Sequence, residues 1–186
     1  HARELVRQGR LQVVGPVEAP PAAGDQPPQP AALEALHLTY QYPGFPPVKA
    51  LENIDLAIRP GEMVGIVGQN GSGKSTLVKS FVGLLRPTSG EVRVNGKNIA
   101  NTPVGQMARQ VGLVLQNPDY QLFTSSCREE ILFGLKNLGV EGKEAEEKAR
   151  AALSLVGLEK EWETFPFRMS FGDRRKLAVA ATVALD

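Results

Sequence analysis

The sequence predicts an α/β fold organised around a glycine-rich loop, and three observations support the prediction. An apolar strand pattern at residues 63–67 leads into a glycine-rich loop, and an apolar helix pattern follows that loop. The loop matches G-x-x-x-x-G-K-S/T at every fixed position and reads Gly68-Gln69-Asn70-Gly71-Ser72-Gly73-Lys74-Ser75. Alternating strand patterns precede this unit, and capped helix patterns follow it.

The residue types in the loop are those that a triphosphate and its metal require. Glycines at 68, 71 and 73 allow backbone conformations that other residues avoid, so that successive amides can turn toward an anion. Lys74 supplies a charge for the β- and γ-phosphates, and the Ser75 hydroxyl is placed to ligate magnesium. The expected phosphate contacts are Gly68, Gln69, Asn70, Gly71, Ser72, Gly73, Lys74, Ser75 and Thr76. The alternative, a glycine-rich turn without a ligand, is disfavoured by the flanking strand and helix patterns.

Composition excludes several other classes of protein. The net charge of +1 over 186 residues gives no basic surface for nucleic acid. The single cysteine, Cys127, excludes an internal disulfide framework and suits a reducing compartment. No apolar run approaches the roughly 20 residues of a membrane span, so a membrane role requires a partner. The N-terminus lacks the pattern of a secretory signal, and a start at His1 suggests a tag remnant or a piece of a longer protein.

Residues 1–33 are predicted to be a proline-rich linker or tail. Six prolines lie between residues 15 and 32, and this composition favours a semi-extended chain without a core. The linker hints at another domain upstream. The folded domain is expected at residues 34–186.

Two strand patterns open that domain. Their expected inner faces hold Leu36, Leu38 and Tyr40 in the first and Leu51, Ile54, Leu56 and Ile58 in the second. Between them lies a turn-rich loop that begins at Tyr42, whose ring could stack on an adenine. An exposed loop tyrosine without such a role is the competing interpretation.

The patterns after the loop alternate between strands and helices. Arg86-Pro87 is expected to end the phosphate-loop helix, and Asn95-Gly96 predicts a hairpin turn. Residues 111–115 read as a further buried strand that ends at Gln116.

Three helices complete the chain. Ser126 caps the first of them, which runs to about Leu135, and Gly157 ends a second at residues 143–156. The second helix is expected to carry the ion pairs Glu144–Lys148 and Glu146–Arg150 on a solvated face. Ser170 caps the last helix, which is basic at its start and apolar later.

The order and spacing of these motifs over residues 34–186 resemble the ATP-binding domain of ABC transporters. That family has a P-loop NTPase core with an antiparallel β subdomain and a helical subdomain. The resemblance implies that Tyr42 is the adenine-stacking aromatic, that the loop is Walker A, and that Gln116 ligates magnesium with Ser75 and senses a transmembrane partner. Met169-Ser170-Phe171-Gly172-Asp173 is similar to the LSGGQ signature. The residues implied for hydrolysis are Lys74, Gln116, Ser170 and Gly172.

Within that family, the run from Gln116 to Phe123, followed by residues 129–134, resembles the energy-coupling-factor ATPases of cobalt and vitamin uptake. This likeness implies an ATP-hydrolysing importer subunit that works with Mg²⁺. It would act as a dimer with a second ABC ATPase domain, either a twin or one fused upstream. It would drive a transmembrane coupling subunit from the cytoplasmic face of the cell membrane, without a nucleic-acid partner.

Two departures from the family pattern carry expectations of their own. Phe171 and Asp173 replace a glycine and a glutamine of the signature, so Phe171 restricts the backbone and Asp173 repels phosphate. Ser170 and the Gly172 amide, which by resemblance hold the γ-phosphate of ATP on the opposite domain, are kept. One of the dimer's two composite sites is therefore expected to be weak.

The sequence also ends before the expected Walker B, catalytic glutamate and switch histidine. The segment is accordingly interpreted as C-terminally incomplete, and hydrolysis is expected of the longer protein only. A second hypothesis is a soluble ABC-type clamp or a pseudo-ATPase that binds nucleotide for assembly. The short span from Gln116 to Ser170, which has no sustained heptads, disfavours the clamp.

Overall fold

The computed structural model describes residues 30–185 and the backbone of residues 12–14. It divides into two compact units after Gln110. Most of the predicted linker at residues 1–33 lies outside the described residues. The stretch at 12–14 is a short strand, β1 (Gln12–Val14), which pairs antiparallel with a strand of the phosphate-loop region.

The first unit contains an antiparallel sheet and the phosphate-loop helix. Its sheet has the order β3–β2–β5–β6, made from β2 (Leu33–Tyr42), β3 (Val48–Ile58), β5 (Ser89–Val94) and β6 (Lys97–Asn98). Helix α1 (Lys74–Phe81) packs against β2, β3 and β5, and a one-turn helix α2 (Val104–Met107) follows β6. The apolar core of this unit includes Ala35, Leu38, Leu51, Leu77, Phe81, Val92, Val94 and Met107.

The predicted hairpin turn at Asn95-Gly96 is confirmed. Val94 pairs with Lys97, so the turn has two central residues, and both have positive φ, 49° at Asn95 and 74° at Gly96. This is the backbone of a type I′ turn, which matches the twist of the flanking strands.

A bulge in β2 corrects the expected inner face of that strand. The register between β2 and β3 shifts around His37, whose φ is 49°. The bulge adds a residue to one strand, so the buried positions are Ala35 and Leu38, three residues apart. Leu36 and Tyr40 are half-buried instead of sharing a fully buried face with Leu38.

The predicted buried strand at 63–67 is shorter and more exposed than expected. It forms as β4 (Gly65–Val67), and Met63 before it is 85% exposed. In the described part of the chain β4 pairs with β1 alone, so one of its edges has no strand partner there. Helix α1 also ends earlier than Arg86-Pro87, because Gly83 takes φ 73°. Gly83 N donates to Ser80 O and Leu84 N to Lys79 O, which is the pattern of a Schellman cap.

The second unit is a helical cluster made of α3 (Cys127–Asn137), α4 (Gly142–Leu155) and α5 (Phe171–Val183). The predicted caps are confirmed: Ser126 Oγ accepts from Glu129 N at 3.2 Å, and Gly157 follows α4 with φ 72°. The three helices contact one another around a shared apolar core of Ile131, Leu135, Ala149, Leu153, Leu177 and Ala178.

Two expectations for this unit were wrong. Residues 111–115 form no strand in the described structure, and Leu115 N donates to the Gln121 side chain at 3.0 Å instead of to a neighbouring strand. Glu146 pairs with Arg128 of α3 at 2.7 Å, and Arg150 lies 4.0 Å from the centre of the Trp162 ring. The side chains predicted to form one surface ion pair therefore bind other partners in the same unit.

Candidate functional site

The phosphate loop folds around the ammonium of Lys74. Lys74 Nζ donates to Gly68 O at 2.8 Å and Gln69 O at 2.7 Å, and it lies 3.4 Å from Ser72 Oγ. These contacts use the three donors of a lysine ammonium and place its charge at the centre of the loop. Lys74 is half-buried.

Two of the loop glycines are needed for its backbone. Gly71 has φ 84° and Gly73 has φ 91°, a region that favours glycine. A Cβ on Gly73 would also lie 2.4 Å from Ala50 O and 2.9 Å from a methyl of Leu51. The loop is therefore seated directly on β3. The sequence pattern predicted a glycine in the loop but not this contact with β3, because no local signal links residue 73 to residue 50.

The start of α1 suits an anion. Gly73 caps the helix without a side-chain hydrogen bond, and the first turn contains no acidic residue. The first amides of α1, at Lys74, Ser75 and Thr76, therefore carry the positive end of the helix without a carboxylate beside them. Ser75 is exposed, whereas Thr76 is buried. The cradle and its donors fit a phosphate chain with a metal ion.

Tyr42 is the last residue of β2, not a loop residue as predicted, and its side chain points toward α1. Its hydroxyl lies 3.2 Å from Thr76 Oγ1, and its ring packs edge-on against Tyr40 at 4.9 Å between centroids. The side chain is 37% exposed, so part of the ring remains accessible. The structure thus brings Tyr42 to the helix that begins in the phosphate loop.

Gln116 and the signature residues lie in the second unit. Gln116 is exposed and precedes a single 3-10 turn (Pro118–Tyr120) capped by Asn117, whose Oδ1 accepts from Asp119 N at 3.0 Å. Ser75 and Gln116, the two predicted magnesium ligands, belong to different units and are each described within their own unit.

The hydroxyl of Ser170 forms two hydrogen bonds with Asp173. Ser170 Oγ accepts from Asp173 N at 3.1 Å and donates to Asp173 Oδ2 at 2.7 Å, and Lys176 Nζ donates to Asp173 Oδ1 at 3.0 Å. The bond from Ser170 and then the contact with Lys176 lower the pKa of Asp173 below its ordinary range. Asp173 therefore stays charged at neutral pH, and Lys176 forms an ion pair with it.

Phe171 and Gly172 fit the first turn of α5 without strain. Phe171 is the first residue of the helix, so its backbone is not forced into a glycine conformation, and its ring is 49% exposed. A Cβ on Gly172 would lie 3.8 Å from Ser170 Oγ, an ordinary contact. The two replaced positions thus alter which groups surround Ser170 while leaving the helix start intact.

The described residues contain neither a metal-binding cluster nor a membrane-spanning helix. Among the described residues there is no group of three or more histidine, cysteine, aspartate or glutamate side chains that could hold a metal ion. No described helix is both long and apolar enough to cross a membrane. The loop, the helix that follows it and the mixed α/β architecture define a P-loop nucleotide-binding domain.

Comparisons with known proteins specify the family. The family model described as ABC transporter matches residues 51–186. A putative ABC transporter ATP-binding protein of Methanosarcina mazei is 48% identical, over 80% of this chain and 29% of that protein. The energy-coupling factor transporter ATP-binding protein EcfA2 of Acetivibrio thermocellus is 42% identical, over 83% of this chain and 56% of that protein.

A solved structure supports the same family. CbiO1 from Clostridium perfringens, described as part of the ABC transporter complex cbiONQ, matches with a TM-score of 0.73 and 29% identity, over 84% of this chain and 62% of that one. The chain belongs to the ABC transporter family of ATP-binding domains and has the ABC ATPase fold. It spans about a quarter to about half the length of the curated relatives described above.

Proposed function

We propose that this chain is the nucleotide-binding part of an ATP-hydrolysing importer subunit of the energy-coupling-factor type. The observation that carries the proposal is the position of the Lys74 ammonium at the centre of a glycine loop that leads into α1. Similarity to EcfA2 and to a subunit of the cbiONQ transporter complex supports the importer class.

In this proposal the first unit holds the nucleotide. The amides of residues 68–76 and the Lys74 ammonium bind the phosphates, and the exposed part of the Tyr42 ring stacks on adenine. Ser75 and Gln116 would hold Mg²⁺, which when bound supplies positive charge to the β- and γ-phosphates. The exchange of loop carbonyls for phosphate oxygens lets Lys74 keep its three hydrogen bonds as the ligand enters.

The second unit serves a nucleotide bound to another ABC domain. Ser170 and the Gly172 amide face the γ-phosphate across a head-to-tail dimer, whose closure moves a transmembrane coupling subunit at the cytoplasmic face. Asp173 accepts the hydrogen bond of the Ser170 hydroxyl and carries a charge of the same sign as phosphate. The composite site that uses this signature is therefore the weaker of the two.

Calorimetric titration of MgATP into the native-length protein tests the loop assignment. Lys74→Ala removes the central charge and should lower the affinity for MgATP at least about tenfold, because hydrogen bonds to charged groups are each worth about 1.5–3 kcal/mol. Lys79→Ala is the matched control, since Lys79 lies exposed in the last turn of the same helix. Normal MgATP binding by Lys74→Ala would show that the loop assignment is wrong.

Co-purification separates transport from the rival function. Recovery of the native protein with a membrane coupling subunit supports the importer. Recovery with ribosomes or DNA, and without membrane protein, would favour a soluble clamp instead. An assembly-only pseudo-ATPase would bind MgATP and show no hydrolysis when joined to its partners.

A further inference from the structure

The segment that carries Gln116 is fastened to α5 at several points within the second unit. Gly112 approaches α5 so closely that a Cβ there would lie 2.4 Å from a Thr182 methyl. Near the other end of the segment, Arg174 Nε lies 2.8 Å from Asp119 Oδ1. Residues 111–121, named here the Gln116 segment, thus lie along the helix whose first turn follows Ser170.

The side chain of Gln121 connects the backbone of this segment to α5. Its Oε1 accepts from Leu115 N at 3.0 Å, and Leu115 immediately precedes Gln116 in the chain. Its Nε2 points to Ala178 O at 3.4 Å and Thr182 Oγ1 at 3.5 Å, both on α5. A carboxamide is suited to this position because it accepts on one side and donates on the other.

The link matters because Leu115 directly precedes Gln116 in the chain. Residues 111–115 form no ladder among the described residues, and there Gln121 Oε1 accepts the hydrogen bond of Leu115 N. The side chain of Gln121 is half-buried, where hydrogen bonds are less weakened by water than at an open surface. The backbone next to Gln116 is therefore held by α5 through one side chain.

We infer that Gln121 is a positioning residue that joins the Gln116 segment to α5, so that Gln116 and Ser170 move as parts of one body. The inference rests on the proposed function, in which Gln116 ligates Mg²⁺ and Ser170 serves the composite site. Gln121 itself touches neither nucleotide nor metal. Its effect should appear as a change in Mg²⁺ binding and not in the grip of the loop on ATP.

Two substitutions separate the parts of the link. Gln121→Met keeps the length of the side chain and removes both the acceptor and the donor. Gln121→Glu keeps an acceptor for Leu115 N but cannot donate to Ala178 O or Thr182 Oγ1 when charged. Gln106→Met is the matched control, because Gln106 is an exposed glutamine of the first unit.

The experiment measures two affinities in the native-length protein. The first is the affinity for ATP in the presence of a metal chelator, and the second is the affinity of the ATP-loaded protein for Mg²⁺. Both Gln121 variants should keep the first and lose about tenfold in the second, since residues that orient metal ligands typically contribute about 10–100-fold. Hydrogen exchange at Leu115 should quicken in Gln121→Met and stay slow in Gln121→Glu. A purely local structural role predicts instead that Gln121→Glu restores Mg²⁺ affinity together with protection, and that result would overturn the inference.

Parallel variants keep this test separate from that of the proposed function. Gln116→Ala should lower Mg²⁺ affinity at least as much as Gln121→Met. If Gln116→Ala has no effect, the proposed metal role of Gln116 is wrong. If Gln116→Ala lowers Mg²⁺ affinity and both Gln121 variants leave it unchanged, the proposed function stands and the positioning role is refuted. If Gln121→Met fails to fold, Gln121→Glu alone decides between the outcomes.

Discussion

Replacing Gly73 by alanine should destabilise the phosphate loop. Gly73 has φ 91°, and its α-carbon faces the Ala50 carbonyl, 2.4 Å from where a Cβ would stand. Since the opposing atom belongs to the backbone of β3, it cannot turn aside as a flexible side chain would. The loop must move away from the sheet or change its conformation.

The magnitude follows from two separate costs. A non-glycine residue at positive φ costs about 1–2 kcal/mol. Overpacking against a fixed neighbour adds about 1–3 kcal/mol. The sum of about 2–5 kcal/mol is a large part of a typical folding free energy of about 5–15 kcal/mol. Because Lys74 follows Gly73 directly, the shift should also reduce affinity for MgATP.

Thermal unfolding and MgATP titration of Gly73→Ala test this reasoning. We expect a lower melting temperature and at least tenfold weaker MgATP binding, using about 1.4 kcal/mol for each factor of ten. Gly105→Ala is the matched control, since Gly105 lies in α2 and has nothing within 4 Å of a new Cβ. If Gly73→Ala melts and binds like the wild type, the described seat of the loop on β3 is wrong.

Three further predictions concern the second unit. Asp173→Gln removes the carboxylate that accepts from the Ser170 hydroxyl, so ATP-driven association should strengthen several-fold. Glu129→Gln, at a first-turn carboxylate of α3, is the control, and an equal gain there would refute the reasoning. Leu153→Ala, fully buried, should cost about 2–5 kcal/mol in urea unfolding. Leu155→Ala on the same helix, where Leu155 is 74% exposed, should lower the free energy of unfolding by under about 0.5 kcal/mol. Equal losses in the two variants would contradict the described burial of Leu153. Burial raises the pKa of the Cys127 thiol from 9.0 to about 11. The stability that the protonated Cys127 thiol contributes is therefore complete below pH 9 and is lost as pH rises toward 11. A free energy of unfolding in urea that increases over that range would contradict the burial of this thiol.

Features set by a few neighbouring residues could be predicted from the sequence. The turn at Asn95-Gly96 formed as expected because both residues tolerate positive φ, and no distant partner is needed. The caps at Ser126 and Ser170 also formed, since each serine oxygen bonds an amide three residues on. The glycine loop and its lysine belong to the same class of local signal.

Features that depend on distant partners could not be predicted. An apolar run at 111–115 reads as a strand, but a strand needs a paired backbone, and here Gln121 provides the bond to Leu115 instead. The bulge at His37 displaced the inner face of β2 because strand register depends on the whole sheet. The contact of Gly73 with Ala50 and the link from Gln121 to α5 join residues far apart in the chain, and no spacing rule reveals them.

The central claim is that the loop around Lys74 binds the phosphate tail of a nucleotide. Equilibrium binding of ATP, ADP and adenosine to the native-length protein in Mg²⁺ measures this directly. The account predicts that ATP and ADP bind and that adenosine, which lacks phosphates, binds at least about 100-fold more weakly, the value of two or more charged hydrogen bonds. Adenosine bound as tightly as ATP would contradict it.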